Sequence, residues 1–279
     1  MNDKFLRIED LTGFHNHLVW EEKSTATMEK YLRDAKAFFV FAQARPVTKE
    51  LVIAYKQSLV ERSYAIRSIN SMLASLNSLL DFLGWTNCKV KCLKAQRQTY
   101  CSEEKELTKA EYLRLLDASK NQPQLRLVME TICATGIRVS ELQYFTVEAV
   151  RQGEVTVTCK GKTRTILLPG KLRKRLLAWA KGHGIQGGSI FITRNGKALN
   201  RSSIWARMKR LCEAAGVKAS KVFPHNLRKL FARTFYGIEK DIAKLADLLG
   251  HSSINTTRIY IMSTGTEHRQ KIERLGLVV

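Results

Sequence analysis

Acidic side chains are almost missing from one stretch of this chain. Residues 151–230 carry two, Glu154 and Glu213, against nineteen Lys and Arg. Cleavage through paired divalent metals needs two or three convergent carboxylates, so this shortage argues against a metal-dependent nuclease or transposase. No apolar run approaches the ~20 residues of a membrane-spanning helix, which excludes that class of membrane protein. The N-terminus, Met1-Asn2-Asp3-Lys4-Phe5, lacks a charged region followed by an apolar stretch, so no secretion signal is visible and a cytoplasmic protein is expected. Cysteine is scarce. Of the six, Cys88, Cys92 and Cys101 cluster, but no fourth ligand lies nearby to complete a structural zinc site, and no metal is expected. Internal repeats and low-complexity segments are absent too.

What is present reads as globular: 44% hydrophobic and 26% charged residues over a 279-residue chain, long enough for two domains with separate cores. The formal charge is +22, and residues 151–230 alone contribute +17 of it. A solubilising surface mixes signs, whereas a block of one sign favours a polyanion, and DNA or RNA is the usual one.

The first hundred residues read as helices. Ser24 or Thr25 caps a helix with the apolar stripe Met28, Tyr31, Leu32, Ala35, Phe38, Phe39 and Phe41. Thr48 precedes a second. Ser68 begins a third, closed by Gly84, and about a dozen residues lead into this helical domain, set at 1–94. The polar, aperiodic stretch 95–106 reads as a linker. Thr108-Lys109-Ala110-Glu111 is a capping box that opens a second domain, 107–279. There Leu125 to Cys133 predicts a buried helix ended by Gly136, and 154–168 alternates, turns at Lys160-Gly161-Lys162-Thr163 and alternates again, as a hairpin does. Ser189-Ile190-Phe191-Ile192 predicts a further short strand, and the last helix spans Glu267 to Leu275. The fold class expected is mainly α with a small antiparallel β-sheet.

Three clusters carry chemistry. Arg138 follows a glycine-broken turn, with Glu141 placed to hold it. His225 and Arg228 share a helical face at i, i+3, and His251 lies nine residues before Tyr260. Two guanidiniums clamp the nonbridging oxygens of a phosphodiester, and a phenol beside a base and cations becomes a nucleophile. Lys160, on the hairpin tip, is placed to protonate a leaving sugar oxygen, with Lys162 as its competitor. Singly, each of these residues reads as a solvated charge or a packing residue; their combination carries the assignment.

The segments Ala134-Thr135-Gly136-Ile137-Arg138-Val139-Ser140-Glu141-Leu142, His225-Asn226-Leu227-Arg228, Leu248-Leu249-Gly250-His251 and Tyr260 resemble the signature of the tyrosine recombinases, the family of phage-type integrases and Xer recombinases. The resemblance spans about 107 to 265, and the N-terminal helices are similar, less diagnostically, to the family's core-site DNA-binding domain. It implies a two-domain architecture and a set of roles. Arg138 and Arg228 would bind the scissile phosphate, Lys160 would be the general acid and His225 the general base. His251 would hydrogen-bond the phosphate and Tyr260 would form a 3′-phosphotyrosyl bond. The bond energy stays in that link, so no cofactor is implied. The implied partners are double-stranded DNA with inverted-repeat core sites, further protomers in a tetramer on two sites, and an accessory DNA-bending or directionality factor; the implied location is the nucleoid of a bacterial cytoplasm. No arm-site domain is evident ahead of the helical domain, which points to an Xer-like or inversion-type enzyme. The apolar tail after Tyr260 resembles the family segment that docks on a neighbouring protomer, with packing in cis as the alternative. A DNA-binding relative without catalysis predicts a broken residue set, and a type IB topoisomerase shares the chemistry without the compact helical domain.

Overall fold

A computed structural model describes residues 4–94, 101–159 and 162–277. The chain forms two compact units, Met1–Arg97 and Gln98–Val279. Among the described residues, no helix is long and apolar enough to cross a membrane.

The first unit is built from α1 (Ile8–Trp20), α2 (Thr25–Ala42), α3 (Lys49–Glu61) and α4 (Ile66–Phe82). Thr48 caps α3 through its hydroxyl, which accepts from the Leu51 N–H. The stripe residues Phe38, Tyr55, Leu73, Leu76 and Leu79 meet in one buried core. Two readings change. Residues 8–20 are not a lead segment: α1 buries Leu11, Phe14 and Leu18 in that same core. And α4 starts at Ile66 rather than Ser68, because Ala65 in an extended conformation already accepts from the Ser68 and Ile69 N–H groups.

The second unit runs α5 (Lys109–Ala118), α6 (Pro123–Thr135), α7 (Val147–Gln152), β1 (Glu154–Cys159), β2 (Lys162–Leu167), α8 (Gly170–Gly182), α9 (Arg201–Arg210), α10 (Cys212–Ala215), α11 (Pro224–Glu239), α12 (Ile242–Leu249), α13 (Ile254–Ile261) and α14 (Gly265–Glu273). β1 and β2 form a two-stranded antiparallel sheet with Glu154 opposite Leu167 and Cys159 opposite Lys162. α6 is central, with Leu125, Leu127, Val128, Met129 and Ile132 all buried, and α11 packs along it. The Thr108–Glu111 capping box forms reciprocally at the start of α5. Ser189 to Ile192 is not a strand. Ser189 and Ile192 make isolated bridges to Thr146 and Ala198, and the segment is held by single backbone hydrogen bonds, such as the Ile190 N–H to Phe145 O at 2.9 Å, together with the buried side chains of Ile190 and Phe191.

Residues 101–106, read as linker, pack on the second unit. The Cys101 N–H donates to Ser263 O at 3.0 Å, and buried Glu106 pairs with Lys229 and Arg233 of α11. Residues 95–100 lie outside the described residues. A polar composition looks the same whether its charges meet water or partners.

Gly136 ends α6 in the left-handed region, φ +65°, and a Cβ there would stand 2.3 Å from Phe231 Cδ1. Gly136→Ala is expected to cost roughly 2–4 kcal/mol from left-handed strain plus overpacking, read as a melting temperature lower by several degrees. Melting within a degree of the parent would show that neither constraint operates.

Candidate active site

The site is assembled where helices end. Gly136 and Gly250 both stop a helix with positive φ, leaving carbonyls that the helix cannot satisfy. Those carbonyls face guanidiniums. Arg228 donates through Nη1 to Gly136 O and through Nη2 to Leu249 O at 2.6 Å, and Arg138 Nη2 lies 3.4 Å from Gly250 O. The negative ends of α6 and α12 thus solvate cations that the fold has removed from water.

Arg138 opens a short 3-10 turn, Val139–Tyr144, directly after Gly136-Ile137. Glu141 in that turn is 1% exposed and reaches four donors: the Arg138 N–H at 2.7 Å, Arg138 Nη1 at 2.9 Å, Arg164 Nη1 at 3.1 Å and Arg164 Nη2 at 2.8 Å. Burial alone would raise its pKa, but the Arg164 and Arg138 contacts outweigh burial and hold it below the usual carboxylate value. Arg164, on β2, was not among the sequence's candidate site residues. It fastens the hairpin to the Glu141 turn and fills the space beside Gly250, where a Cβ would come within 2.6 Å of its Nη1.

Pro224 presets the first turn of α11, which carries His225 and Arg228. Arg228 is 1% exposed, and burial, then the Arg138 charge, pulls its pKa down to about 10, which leaves it protonated at neutral pH. Its Nη2 also lies 3.0 Å from His251 Nε2. A guanidinium only donates, so Nε2 accepts; Nδ1 therefore carries the proton and donates to Thr257 Oγ1 at 2.9 Å. With the tautomer set by Arg228, buried Thr257 accepts the hydrogen bond of the Nδ1 proton. It sits one turn before Tyr260 on the same face of α13, a spacing visible in the sequence but silent about its partner.

Tyr260 is 8% exposed, its ring packed among Ala232, Leu245 and Leu249 and against both imidazoles, with centroids 5.0 Å from His225 and 4.9 Å from His251. The Arg228 guanidinium stands 5.8 Å from the same ring. Five of the six candidate residues, Arg138, His225, Arg228, His251 and Tyr260, are therefore brought together from segments far apart in sequence. The sixth, Lys160, lies outside the described residues, as does the hairpin tip 160–161.

Both histidines are held as weak bases. Loss of water contact, then the charges of Lys229, Arg228, Arg138 and Arg201, lowers His225 to about 4; loss of water contact, then Arg228, Arg138 and Arg164, lowers His251 to about 4. His225 keeps a surface residue's overall exposure, yet the surrounding cations all push the same way, so the direction stands. Both rings are then neutral at pH 7, as a general base and an acceptor require. Because the folded values are depressed below the unfolded 6.5, the unfolded chain binds more protons between 6.5 and 4. Stability contributed by these groups is complete above 6.5 and is lost as pH falls through 4. Histidine NMR on the free protein should find both midpoints near 4; midpoints at 6 to 7 would contradict this environment.

Residues 105–267 match the model of the Phage integrase family, and residues 11–87 match the Phage integrase, N-terminal SAM-like domain. Tyrosine recombinase XerA of Pyrococcus furiosus is 28% identical over 286 residues, covering 100% of this chain and 98% of the relative. Tyrosine recombinase XerD of Vibrio cholerae is 29% identical over 225 residues, 74% of each chain. Among solved structures, a lambda integrase tetramer bound to a Holliday junction superposes with a TM-score of 0.77 at 21% identity, covering 95% of this chain and 79% of that one. XerH bound to difH substrate, in a pre-cleavage complex, gives 0.68 at 17% identity over 98% and 90%. These structural likenesses are likenesses of fold.

Proposed function

The chain belongs to the phage integrase family, and on that premise we propose that it is a tyrosine site-specific DNA recombinase whose strand cleavage runs through Tyr260, with the roles given below. The observation that carries this reading is the convergence of Arg138, Arg228, His225, His251 and Tyr260 in one half-buried cluster in which Arg228 stays cationic while the imidazoles stay neutral.

In the proposed reaction the scissile phosphate sits between Arg138 and Arg228. Tyr260 Oη attacks phosphorus and gives its proton to His225. The bond from phosphorus to the 5′-oxygen breaks, and that oxygen takes a proton from Lys160. The product is a 3′-phosphotyrosyl link and a free 5′-hydroxyl. Attack by the 5′-hydroxyl of a second strand reverses each step and restores the phenol, so no nucleotide is consumed. The charge building on the nonbridging oxygens meets guanidiniums already fixed by helix-end carbonyls and by Glu141, so little reorganisation is needed at the moment of reaction. For His251 to hydrogen-bond a phosphate oxygen, its proton would move to Nε2 in place of the Arg228 contact, with the Thr257 hydroxyl turning to donate to Nδ1.

The working assembly in this reading is a tetramer on two inverted-repeat sites at the nucleoid, open to an accessory DNA-bending or directionality factor. Neighbour structures bound to DNA, one of them a tetramer on a Holliday junction, support the tetramer on DNA. The test is to express the chain in its own cell, denature rapidly and sequence the DNA that stays covalently attached. Adducts at a few positions with inverted-repeat symmetry are expected. DNA recovered only by added crosslinker, with no adducts, would replace the enzyme with a binding protein.

A further inference from the structure

Beside the arginine cradle opens a cavity of about 580 Å³. Arg138, His225 and Arg228 form one pole; Arg201, Trp205 and Lys209 of α9 form the other, and Val139 and Phe223 also line it. We propose that this cavity is a nucleobase subsite: it takes the base of a nucleotide flanking the scissile phosphate, with the Trp205 indole as its stacking wall. The inference rests on the recombinase reading above.

The cavity has two characters, and the phosphate uses only one. A phosphodiester is satisfied by the guanidiniums and has no use for an indole, a benzyl ring and an isopropyl group in the same space. A nucleotide has both an anionic and a flat aromatic part, and a volume of this size suits a small organic group better than a phosphate alone. The cations around the cavity argue for a polyanion as the occupant and against an apolar peptide.

α9 presents Trp205 as a fixed wall. Arg201, Trp205 and Lys209 lie at i, i+4 and i+8, on one face of the helix. Ile204 and Met208 are buried on the other side, and Asn200 caps the helix by accepting from the Ser202 N–H at 2.7 Å. Trp205 nevertheless stays 48% exposed. Lys209 places its ammonium 5.5 Å from the indole centroid and donates to Ala219 O, in the turn that leads to α11, so the ring is braced toward the catalytic helix. Stacking accepts every base, because each has a π-face. The subsite would therefore serve as a clamp that orients the scissile phosphodiester, leaving sequence discrimination to other contacts.

The experiment uses the full chain and the site mapped from its adducts. Short suicide duplexes carry one abasic nucleotide on either side of the scissile phosphate, and single-turnover cleavage is measured for the parent, Trp205→Ala and Trp205→Phe. Loss of one base–aromatic stack corresponds to roughly 5- to 150-fold. The abasic change on one side is expected to slow the parent by that factor. Trp205→Ala should slow cleavage of intact DNA equally, and the abasic change should then add less than about twofold, since the stack is already gone. Trp205→Phe should stay within a few-fold of the parent. Equal slowing of the parent and Trp205→Ala by the abasic nucleotide, or no slowing of the parent at either position, would overturn the subsite while the recombinase stands. A parent that forms no adducts on any DNA would fell the recombinase reading first, a separate and distinguishable failure.

Discussion

Tyr260→Phe should bind DNA as the parent does and form no covalent adduct. The phenol ring packs among Ala232, Leu245, Leu249 and the two imidazoles, and phenylalanine keeps that packing atom for atom. Only one oxygen is lost, so melting should stay close to the parent's. The oxygen is the attacking atom, however, and removal of a covalent nucleophile acts on the order of 10⁴-fold or more. Gels of denatured protein with end-labelled DNA measure this directly. Adducts that persist in the variant would remove Tyr260 from its role, whatever happens to the rate.

Arg228→Ala should be the next most damaging change, and it should damage two things at once. Arg228 is an anion clamp and a buried strut, since its fork joins the end of α6 at Gly136 to the end of α12 at Leu249. Loss of a preorganised charge contact costs about 10²- to 10³-fold in cleavage. Loss of the strut strands two buried carbonyls, at about 1–3 kcal/mol each, so melting should fall as well. Arg138→Ala separates the two effects. Its side chain is 36% exposed, and the partner it abandons, Glu141, keeps Arg164. Cleavage should fall comparably while melting changes little. Cleavage within tenfold of the parent in either variant would contradict its place on the phosphate. Arg228→Lys should fail too, because a single ammonium cannot reach both carbonyls in a planar fork.

Much of this site was legible before any coordinates, and the reason is local. Gly136 marks a helix end because few other residues tolerate positive φ, and the capping box at Thr108 and Glu111 marks a helix start through two nearby hydrogen bonds. The β1–β2 hairpin announces itself through its period. Where a reading depended on partners far along the chain, it failed or stopped short. The pattern Leu11, Phe14, Leu18 in α1 is helical, but only a core to bury it distinguishes an integral helix from a leading segment. Ser189 to Ile192 has strand composition, yet its pairings are single bridges to two different segments and never extend into a ladder. Glu106 looked like linker because nothing in its neighbourhood shows Lys229 and Arg233 waiting.

By itself the sequence determined the inventory and the order: a basic second half, a helix-stopping glycine two residues before Arg138, a helix-spaced His225 and Arg228, and a phenol nine residues beyond His251. Tertiary structure decided what each group is chemically. It placed Arg228 against two helix-end carbonyls, made Glu141 the anchor of Arg164 as well as Arg138, fixed the proton of His251 through Arg228 and set both imidazoles among cations. Caps and turns are settled within four residues of chain, where sequence is also distance. Charge, tautomer and access to solvent are settled by neighbours on other helices, some of them about a hundred residues away, and those become neighbours only when α6, α11, α12 and α13 close on one another.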